Sequence, residues 1–533
     1  MINESILQQK IHSLLQYPIL DKESVKKFGE ILKTLDDWSL FRMNPLRFAK
    51  QHDFNSNECV DIFVHGTKIG LFDLSYNFLC PACHGILHNH HSLAELENNS
   101  FHCAICDIDI NTSPDELVEV SFTIQSSVEK LNINPFSTLE DYTRYYFSAN
   151  YQESDQVKAF FKENLIKGFI VLTHDERQTI SLDIASHQVY QIVSIENNTS
   201  ITCYFSENGT IQPFLKAEEE NCNACSSKRS KTLKEINFNE TKYLSPVSQN
   251  NEASSQTNEE QRKSVEIDLL PTAFTPSRIV LPFGFYELQI KNHTNNTIGC
   301  LIMRIDDREK IYTLFNKYPP TFTPFLTAKM LLNNQSFRDL FRVQQLSKTF
   351  NVNVKNLTIM FTDLRGSTEM YDKAGDIFAY KLVQTHFKIL TEIVRKFSGV
   401  IVKTMGDAIM ATFSRPLDGF LASLEMLNKI EQMNQTARAE NYQIGLKVGI
   451  NEGPALAVVN DERIDYFGQS VNIAARVQGL AQAGEIWISQ PVLESPGVLE
   501  KIAESHYQTE QHSAALKGVG QPTLVHKIKM GNG

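Results

Sequence analysis

Asp363 ends an apolar strand, LTIMFTD (357–363), and Asp407 stands at the point of a hairpin between the apolar runs Val400–Val402 and Ala408–Phe413. Thr404, Met405, Gly406 and Asp407 form the turn, where an aspartate beside a glycine is ordinary chemistry. Behind Asp363 the loop Leu364-Arg365-Gly366-Ser367-Thr368 enters a helix. Free backbone N–H groups at Gly366, Ser367 and Thr368, together with the helix dipole, make an anion site there. The helix runs to Phe397 on a stripe of Leu382, Val383, Phe387, Leu390, Ile393 and Val394, and Gly399 ends it. A strand–helix–hairpin unit can return Asp407 to Asp363. Two carboxylates beside a phosphate loop supply the hard oxygen ligands that Mg²⁺ chemistry on a nucleotide needs. Two unrelated turn acids are the competing reading.

Asn472 and Arg476 form a second constellation, in DYFGQSVNIAARV. Gly468 permits a turn into a helix starting near Ser470, and a spacing of four puts both side chains on one face. An amide and a guanidinium projecting together suit charge growing on a phosphate in transfer; a solvated polar stripe is the alternative. The third constellation is Cys80-x₂-Cys83-x₁₉-Cys103-x₂-Cys106. This spacing suits a closed tetrahedral Zn²⁺ site, structural rather than catalytic, with unmetallated thiols as the alternative. His84, His88, His90, His91 and His102 crowd the same loop and read as its surface. Cys222-x₂-Cys225 has no second pair nearby and reads as a loop feature, with redox or adventitious metal binding as the second possibility.

These groups must be positioned by a chain of 533 residues, enough for about three or four domains. The formal net charge of −11, from 51 basic and 62 acidic residues, makes nucleic acid an unfavourable partner. The start MINESILQQK has no basic segment followed by an apolar run, and no apolar run reaches the length of a membrane span. A cytoplasmic protein without a membrane segment is expected. Residues 1–115 read as helical, on stripes through Leu7, Ile11, Leu14 and Leu15 and through Val25, Phe28, Ile31, Leu32 and Leu35. A helix after Pro45, a turn near Asp53–Ser56 and a helix through Cys59–Thr67 look helix-turn-helix-like, and the zinc ribbon follows at 80–106. Residues 116–320 are β-rich. The runs LVEVSFTI, GFIVLT, TISLDI, VYQIVSI, SITCYF and SRIVLPFGFYELQIKN predict an antiparallel sandwich, interrupted by a polar insertion at 218–265. A connecting helix over 321–352 follows the imperfect pattern Leu326, Met330, Phe337, Leu340, Phe341 and Leu346. From 353 to 530 strands alternate with long helices, an α+β signature.

FTDLRGST, VKTMGDAIMATF and DYFGQSVNIAARV, in this order and at these intervals, resemble the catalytic domain of class III nucleotidyl cyclases over roughly 353–530. The resemblance implies a ferredoxin-like, palm-type fold. It implies that Asp363, Asp407 and the backbone carbonyl of Leu364 hold two Mg²⁺ or Mn²⁺ ions. Lys403 and Asp465 become the base-reading pair, Lys403 donating to an adenine ring nitrogen and Asp465 accepting from the exocyclic amine, so ATP rather than GTP. Asn472 orients the ribose, Arg476 stabilises the transition state, and Lys517 in LKGVGQP binds the triphosphate. The implied reaction is attack of the ribose 3′-oxygen on the α-phosphorus with two metals bracing the phosphates and pyrophosphate leaving. In the family the metal aspartates of one chain face the base-reading and Asn/Arg residues of another. This chain carries both sets, which implies a homodimer.

NPLRFA, GLFDLSYNFLCPACHG, FHCAICD, LPFGFYELQIKN and FRDLF are similar to a region found ahead of many bacterial class III cyclases. Its place in the chain suggests input of a signal that the sequence does not name. Two other readings stand beside the adenylate cyclase. One is a catalytically silent nucleotide-binding sensor or dimerisation module. The other is a DNA-binding regulator, which the acidic balance disfavours.

Overall fold

The structure, a computed structural model, describes residues 2–90, 100–111, 117–211, 241–243, 262–306, 308–341, 351–365, 376–437, 444–460, 463–504 and 507–529. Side-chain caps set the first helices. Asn3 accepts from Ile6 N to open α1 (Glu4–Leu14), and Asp21 accepts from Ser24 N to open α2 (Lys22–Leu32). Asn44, with Pro45 in the first turn, opens α3 (Pro45–His52), and Asn55 opens α4 (Ser56–Lys68). The helix–turn–helix outline is present, with Asp53 in the left-handed region at φ 55° closing α3. Its second helix nevertheless buries Cys59, Val60, Ile62, Phe63, Val64, His65 and Gly66, so α4 is a core helix rather than one that offers a face to a DNA groove.

The predicted sandwich loses its first strand. β1 (Phe72–Leu79) lies between β2 (Ile86–His90) and β3 (Val118–Ile124), antiparallel to both, so residues 118–124 belong with the helical region. β3 is buried along nearly its whole length, because Val120 N also bonds Leu326 O and Phe122 bonds Met43. The sandwich proper spans 166–304. One sheet has six strands: Ile166–Leu172, Gln188–Ser194, Thr199–Phe205, Thr241–Tyr243, Arg278–Leu281 and Ile298–Arg304. The other has four: Arg177–Ile184, Lys263–Leu269, Phe274–Thr275 and Gly284–Asn292. It is not wholly antiparallel. Thr202–Phe205 runs parallel to Arg278–Leu281, and Lys263–Leu269 parallel to Tyr286–Asn292. The insertion expected at 218–265 therefore cedes Thr241–Tyr243 and the residues from Lys263 onward to strands; Cys222 and Cys225 lie outside the described residues.

The single connecting helix is two short ones, α5 (Ala328–Leu332) and α6 (Gln335–Leu340). Two asparagines make the break. Asn333 Nδ2 donates back to Lys329 O at 2.9 Å, while Asn334 Oδ1 caps α6 by accepting from Phe337 N at 2.8 Å. Leu346 lies outside the described residues.

The C-terminal region is built from β4 (Asn351–Arg365), α7 (Asp376–Lys396), β5 (Gly399–Met405), β6 (Ala408–Phe413), α8 (Pro416–Ala437) and β7 (Gly445–Asn460), followed by β8 (Arg463–Phe467), α9 (Gln469–Leu480), β9 (Ile486–Ser489), β10 (Gln508–Ala514) and β11 (Thr523–Lys529). The sheet order is β5-β6-β4-β7-β9-β11-β10, with β8 paired to β7 off this path. The first βαββαβ unit thus has the ferredoxin-like order. The α7–β5 junction differs from expectation. Ser398, at φ 55°, makes the turn, and Gly399 opens β5, where a Cβ would stand 2.4 Å from the Phe413 ring. α7 and α8 cover one face of the sheet through Val383, Leu390, Ile393, Phe420 and Met426. On the other face, Phe361, Val402, Met410, Ile464, Tyr466 and Ala474 share one hydrophobic cluster with Phe28, Phe63 and Phe122 of the helical region. Among the described residues no helix is long and apolar enough to cross a membrane.

Candidate active site

The hairpin carrying Asp407 is tighter than the sequence suggests. Met405 pairs with Ala408, leaving a two-residue turn of Gly406 and Asp407, with Gly406 at φ 65° as a close hairpin of this kind requires. Thr362 of β4 pairs with Ile409 of β6, so Asp363 falls level with Ala408, diagonal to Asp407. The two carboxylates therefore share one end of the sheet. Asp407 Oδ2 is buried and has no hydrogen-bond partner among the described residues. A buried carboxylate oxygen left so is costly unless something of opposite charge meets it, which fits a cation at this place. Leu364 is the next residue of the same strand, opposite Leu446. Gly366, Ser367 and Thr368 lie outside the described residues.

Sequence reasoning missed Lys447. It faces Asp363 across the β4–β7 ladder, with Nζ 3.2 Å from Asp363 Oδ2. The alternation Leu446, Lys447, Val448 looks like an ordinary strand with one polar face, and only the pairing register tells that this face carries the aspartate.

Lys403 and Asp465 come together across 62 residues of sequence: Nζ stands 3.0 Å from Oδ1 and 2.7 Å from Oδ2. Asp465 is 5% exposed and Oδ1 also accepts from Tyr466 N at 2.8 Å, so the carboxylate is fixed while the lysine reaches it from half-exposed ground. A register shift between Ile401 and Lys403 marks a bulge just ahead of the lysine. The exposed Phe467 borders the pair, with Lys403 Nζ 5.9 Å from its ring centre.

α9 begins as expected at Gly468, φ 140°, and lies so close to β7 that a Cβ on Gly449 would meet Gln478 N at 2.1 Å. Asn472 is exposed on it, and Arg476 is half-buried with Nε lacking a partner among the described residues. Lys517 is exposed on a loop whose neighbours Leu516 and Val519 pack with Val477 and Trp487. That loop comes to Arg476: its guanidinium lies 3.8 Å from where a Cβ on Gly518 would be.

The four cysteines form one cluster, with all Sγ atoms within 4.8 Å of one another and Cys80–Cys106 and Cys83–Cys103 at 3.9 and 3.7 Å. Sulfurs held at Zn–S distance around a tetrahedral ion stand about 3.8 Å apart, so the quartet fits such an ion. The two halves are alike. His84 N bonds Cys80 O and Asp107 N bonds Cys103 O, and His84 and Asp107 both take positive φ, 57° and 53°. Among the described residues this quartet is the group of three or more potential ligands close enough to share an ion. Of the histidines, His84 is not simply loop surface, since its ring stacks on Tyr151 at 4.1 Å; His102 bonds Asp109 at 3.0 Å, and His91 lies outside the described residues.

Comparison with known proteins finds relatives for both ends of the chain. Residues 351–529 match the adenylate and guanylate cyclase catalytic domain, and residues 7–236 match a family of unknown function, DUF5939. An adenylate cyclase of Anabaena cylindrica is 27% identical over 188 residues, 33% of this chain and 37% of that protein. An adenylate cyclase of Lachancea kluyveri is 28% identical over 183 residues, 31% of this chain and 10% of that protein. The chain thus spans well under two thirds of the length of these relatives. The solved adenylyl cyclase CyaB of P. aeruginosa is 24% identical, with a TM-score of 0.30, over 34% of this chain and 95% of that one. A nucleotidyl cyclase catalytic domain is what the sheet order and the matched segment define. Over its C-terminal third the chain matches the catalytic domain of the adenylate and guanylate cyclases.

Proposed function

We propose that the chain is an adenylate cyclase, converting ATP to 3′,5′-cyclic AMP and pyrophosphate at a homodimer interface, with the region before residue 320 as its input. The observation that carries the reading is the Lys403–Asp465 pair, a donor and an acceptor held 2.7 Å apart on two strands. Adenine offers a ring-nitrogen acceptor beside an amine donor, which this pair complements; guanine offers the opposite pattern on that edge.

The remaining roles are those that the resemblance implies. Asp363, Asp407 and the Leu364 carbonyl hold two Mg²⁺ or Mn²⁺ ions, a reading supported by the unpartnered Asp407 Oδ2. When bound, such ions supply Lewis-acid stabilisation of the phosphates and the ribose 3′-oxygen. Gly366, Ser367 and Thr368 offer backbone N–H groups to the triphosphate. Arg476 and Lys517, brought together by the Gly518 loop, bring two cations to the same phosphate chain, and Asn472 orients the ribose. The cysteine quartet holds one structural Zn²⁺.

The test is turnover of ATP and of GTP by the full chain, with Mg²⁺ and with Mn²⁺, beside Asp407→Ala. Cyclic AMP from ATP, little product from GTP, and at least a hundredfold loss in the variant are expected, since a metal ligand acts on the transition state directly. Nucleotide binding without turnover in any condition would move the chain to the silent sensor reading.

A further inference from the structure

α6 reaches both strands that carry the base-reading pair. Gln335 Oε1 accepts from Ile401 N at 3.1 Å, two residues before Lys403 and at the bulge that sets the register of that lysine. One helical turn on, Arg338 Nη2 donates to Ile464 O, the residue before Asp465, and its guanidinium lies 5.6 Å from the Tyr466 ring centre, on the residue after. Among the described residues β8 pairs with β7 alone, so its second edge has no described strand beside it, and Arg338 bonds there. Arg338 Nη1 is buried and has no hydrogen-bond partner among the described residues. The guanidinium is therefore held desolvated against this strand, an arrangement that a merely solubilising arginine would not have. At its start, α6 is joined to the helical region: Asn334 Nδ2 donates to Asp61 Oδ1 of α4 at 2.9 Å.

We infer that Arg338 and Gln335 are positioning residues for nucleotide selection. They fix the spacing of Lys403 and Asp465 from outside the catalytic domain, and so make choice of base depend on how α6 sits on α4. The inference rests on the proposed reading that Lys403 and Asp465 contact the base. Neither α6 residue touches the nucleotide in this account; each acts through a backbone group beside a residue that does. Loss of Arg338 frees the strand carrying Asp465, so affinity for ATP falls and discrimination against GTP falls with it. In the proposed homodimer the metal aspartates that face this pair come from the other chain, and the α6 bonds fall on Ile401 and Ile464 rather than on Asp363 or Asp407, so kcat changes little.

The experiment uses the full chain and compares wild type, Arg338→Met, Arg338→Lys, Gln335→Ala and Asp465→Ala. Equilibrium competition of ATP and of GTP against a fluorescent ATP analogue reads selectivity without requiring turnover, and KM and kcat for ATP are measured alongside. Arg338→Met is expected to weaken ATP binding about tenfold, the usual effect of losing one hydrogen bond to a charged group. It should narrow the ATP/GTP ratio by a similar factor, raising KM with kcat within about twofold. Arg338→Lys should recover part of the loss, and Gln335→Ala should move the ratio in the same direction even if Arg338→Met does not fold. If Asp465→Ala collapses selectivity while the soluble α6 variants leave the ratio unchanged, the positioning role is wrong and the base-reading assignment stands. If Asp465→Ala itself leaves the ratio unchanged, the base-reading assignment fails and takes this inference with it.

Discussion

Lys447 and Asp363 face each other in the β4–β7 ladder with Nζ 3.2 Å from Oδ2, so the aspartate assigned to metal already has a cation on it. A divalent ion on this carboxylate must share it with the ammonium or displace it. Lys447→Gln is accordingly expected to bind Mn²⁺ about fivefold more tightly in the absence of nucleotide, a modest effect because both side chains are partly exposed. Titration followed by the loss of the free Mn²⁺ spin signal checks this. Unchanged or weaker binding would show that Lys447 does not compete for the site.

His386 gives the fold a dependence on pH. It is fully buried in α7, both ring nitrogens lack partners among the described residues, and burial pushes its pKa down from the ordinary value to about 4. Between pH 6.5 and pH 4 the unfolded chain takes up a proton that the folded one refuses, so this contribution to stability is present above pH 6.5 and is lost as pH falls through that window. The loss between pH 7 and pH 5 is about 2 kcal/mol. His386→Leu should remove it and be at least as stable at pH 7, since no hydrogen bond is broken. Urea unfolding of both proteins at the two pH values measures the difference, and parallel loss in the two would exclude His386 as the cause.

The cysteine quartet is expected to carry one zinc per chain, released by thiol modification and lost in Cys106→Ser. Its second half is tied to the sandwich: Ala104 N donates to Asn198 Oδ1 at 3.0 Å, and Gln191 Nε2 donates to Ala104 O at 2.8 Å. Removing the metal should therefore expose 80–106 to protease and lower the melting temperature by several degrees, as the closed site contributes to folding directly. Metal analysis together with limited proteolysis decides it; a metal-free chain resistant to protease would make the quartet a set of free thiols.

The site was legible where residue chemistry is local. Asp363, Asp407, Asn472 and Arg476 lie on strands, a turn and a helix that hydrophobic pattern and glycine place without reference to distant chain, whereas Lys403, Asp465 and Lys517 are singled out only by the resemblance to the cyclases. Gly468 opens α9 where expected, and the Asp407 turn is shorter only because β5 runs on to Met405. Legibility ends where partners are distant. Nothing near Lys447 tells that it faces Asp363 84 residues away, nor near Arg338 that it meets Ile464 126 residues on. Strand 118–124 reads as part of the sandwich because β-branched runs look alike whichever sheet they enter; its pairing with Phe72–Leu79 is a fact of tertiary structure. The connecting segment reads as one helix because its apolar spacing is helical on both sides of Asn333 and Asn334, while the local bonds that split it are made by those two side chains.

The cluster that unites Phe28, Phe63 and Phe122 with Val400, Val402, Ile464 and Tyr466 bears on how this chain can be divided. In sequence order the first 130 residues and the last 180 are far apart, with the sandwich between them. In packing they are one body, and the sandwich has a core of its own, around Phe205, Leu269 and Ile290. Cutting the catalytic segment free would strip the covered face of its sheet and leave it adhesive. Replacing the middle, from 166 to 304, would leave that shared core closed but would open the smaller cluster in which Val193, Leu301 and Met303 meet Ala104 and Tyr142.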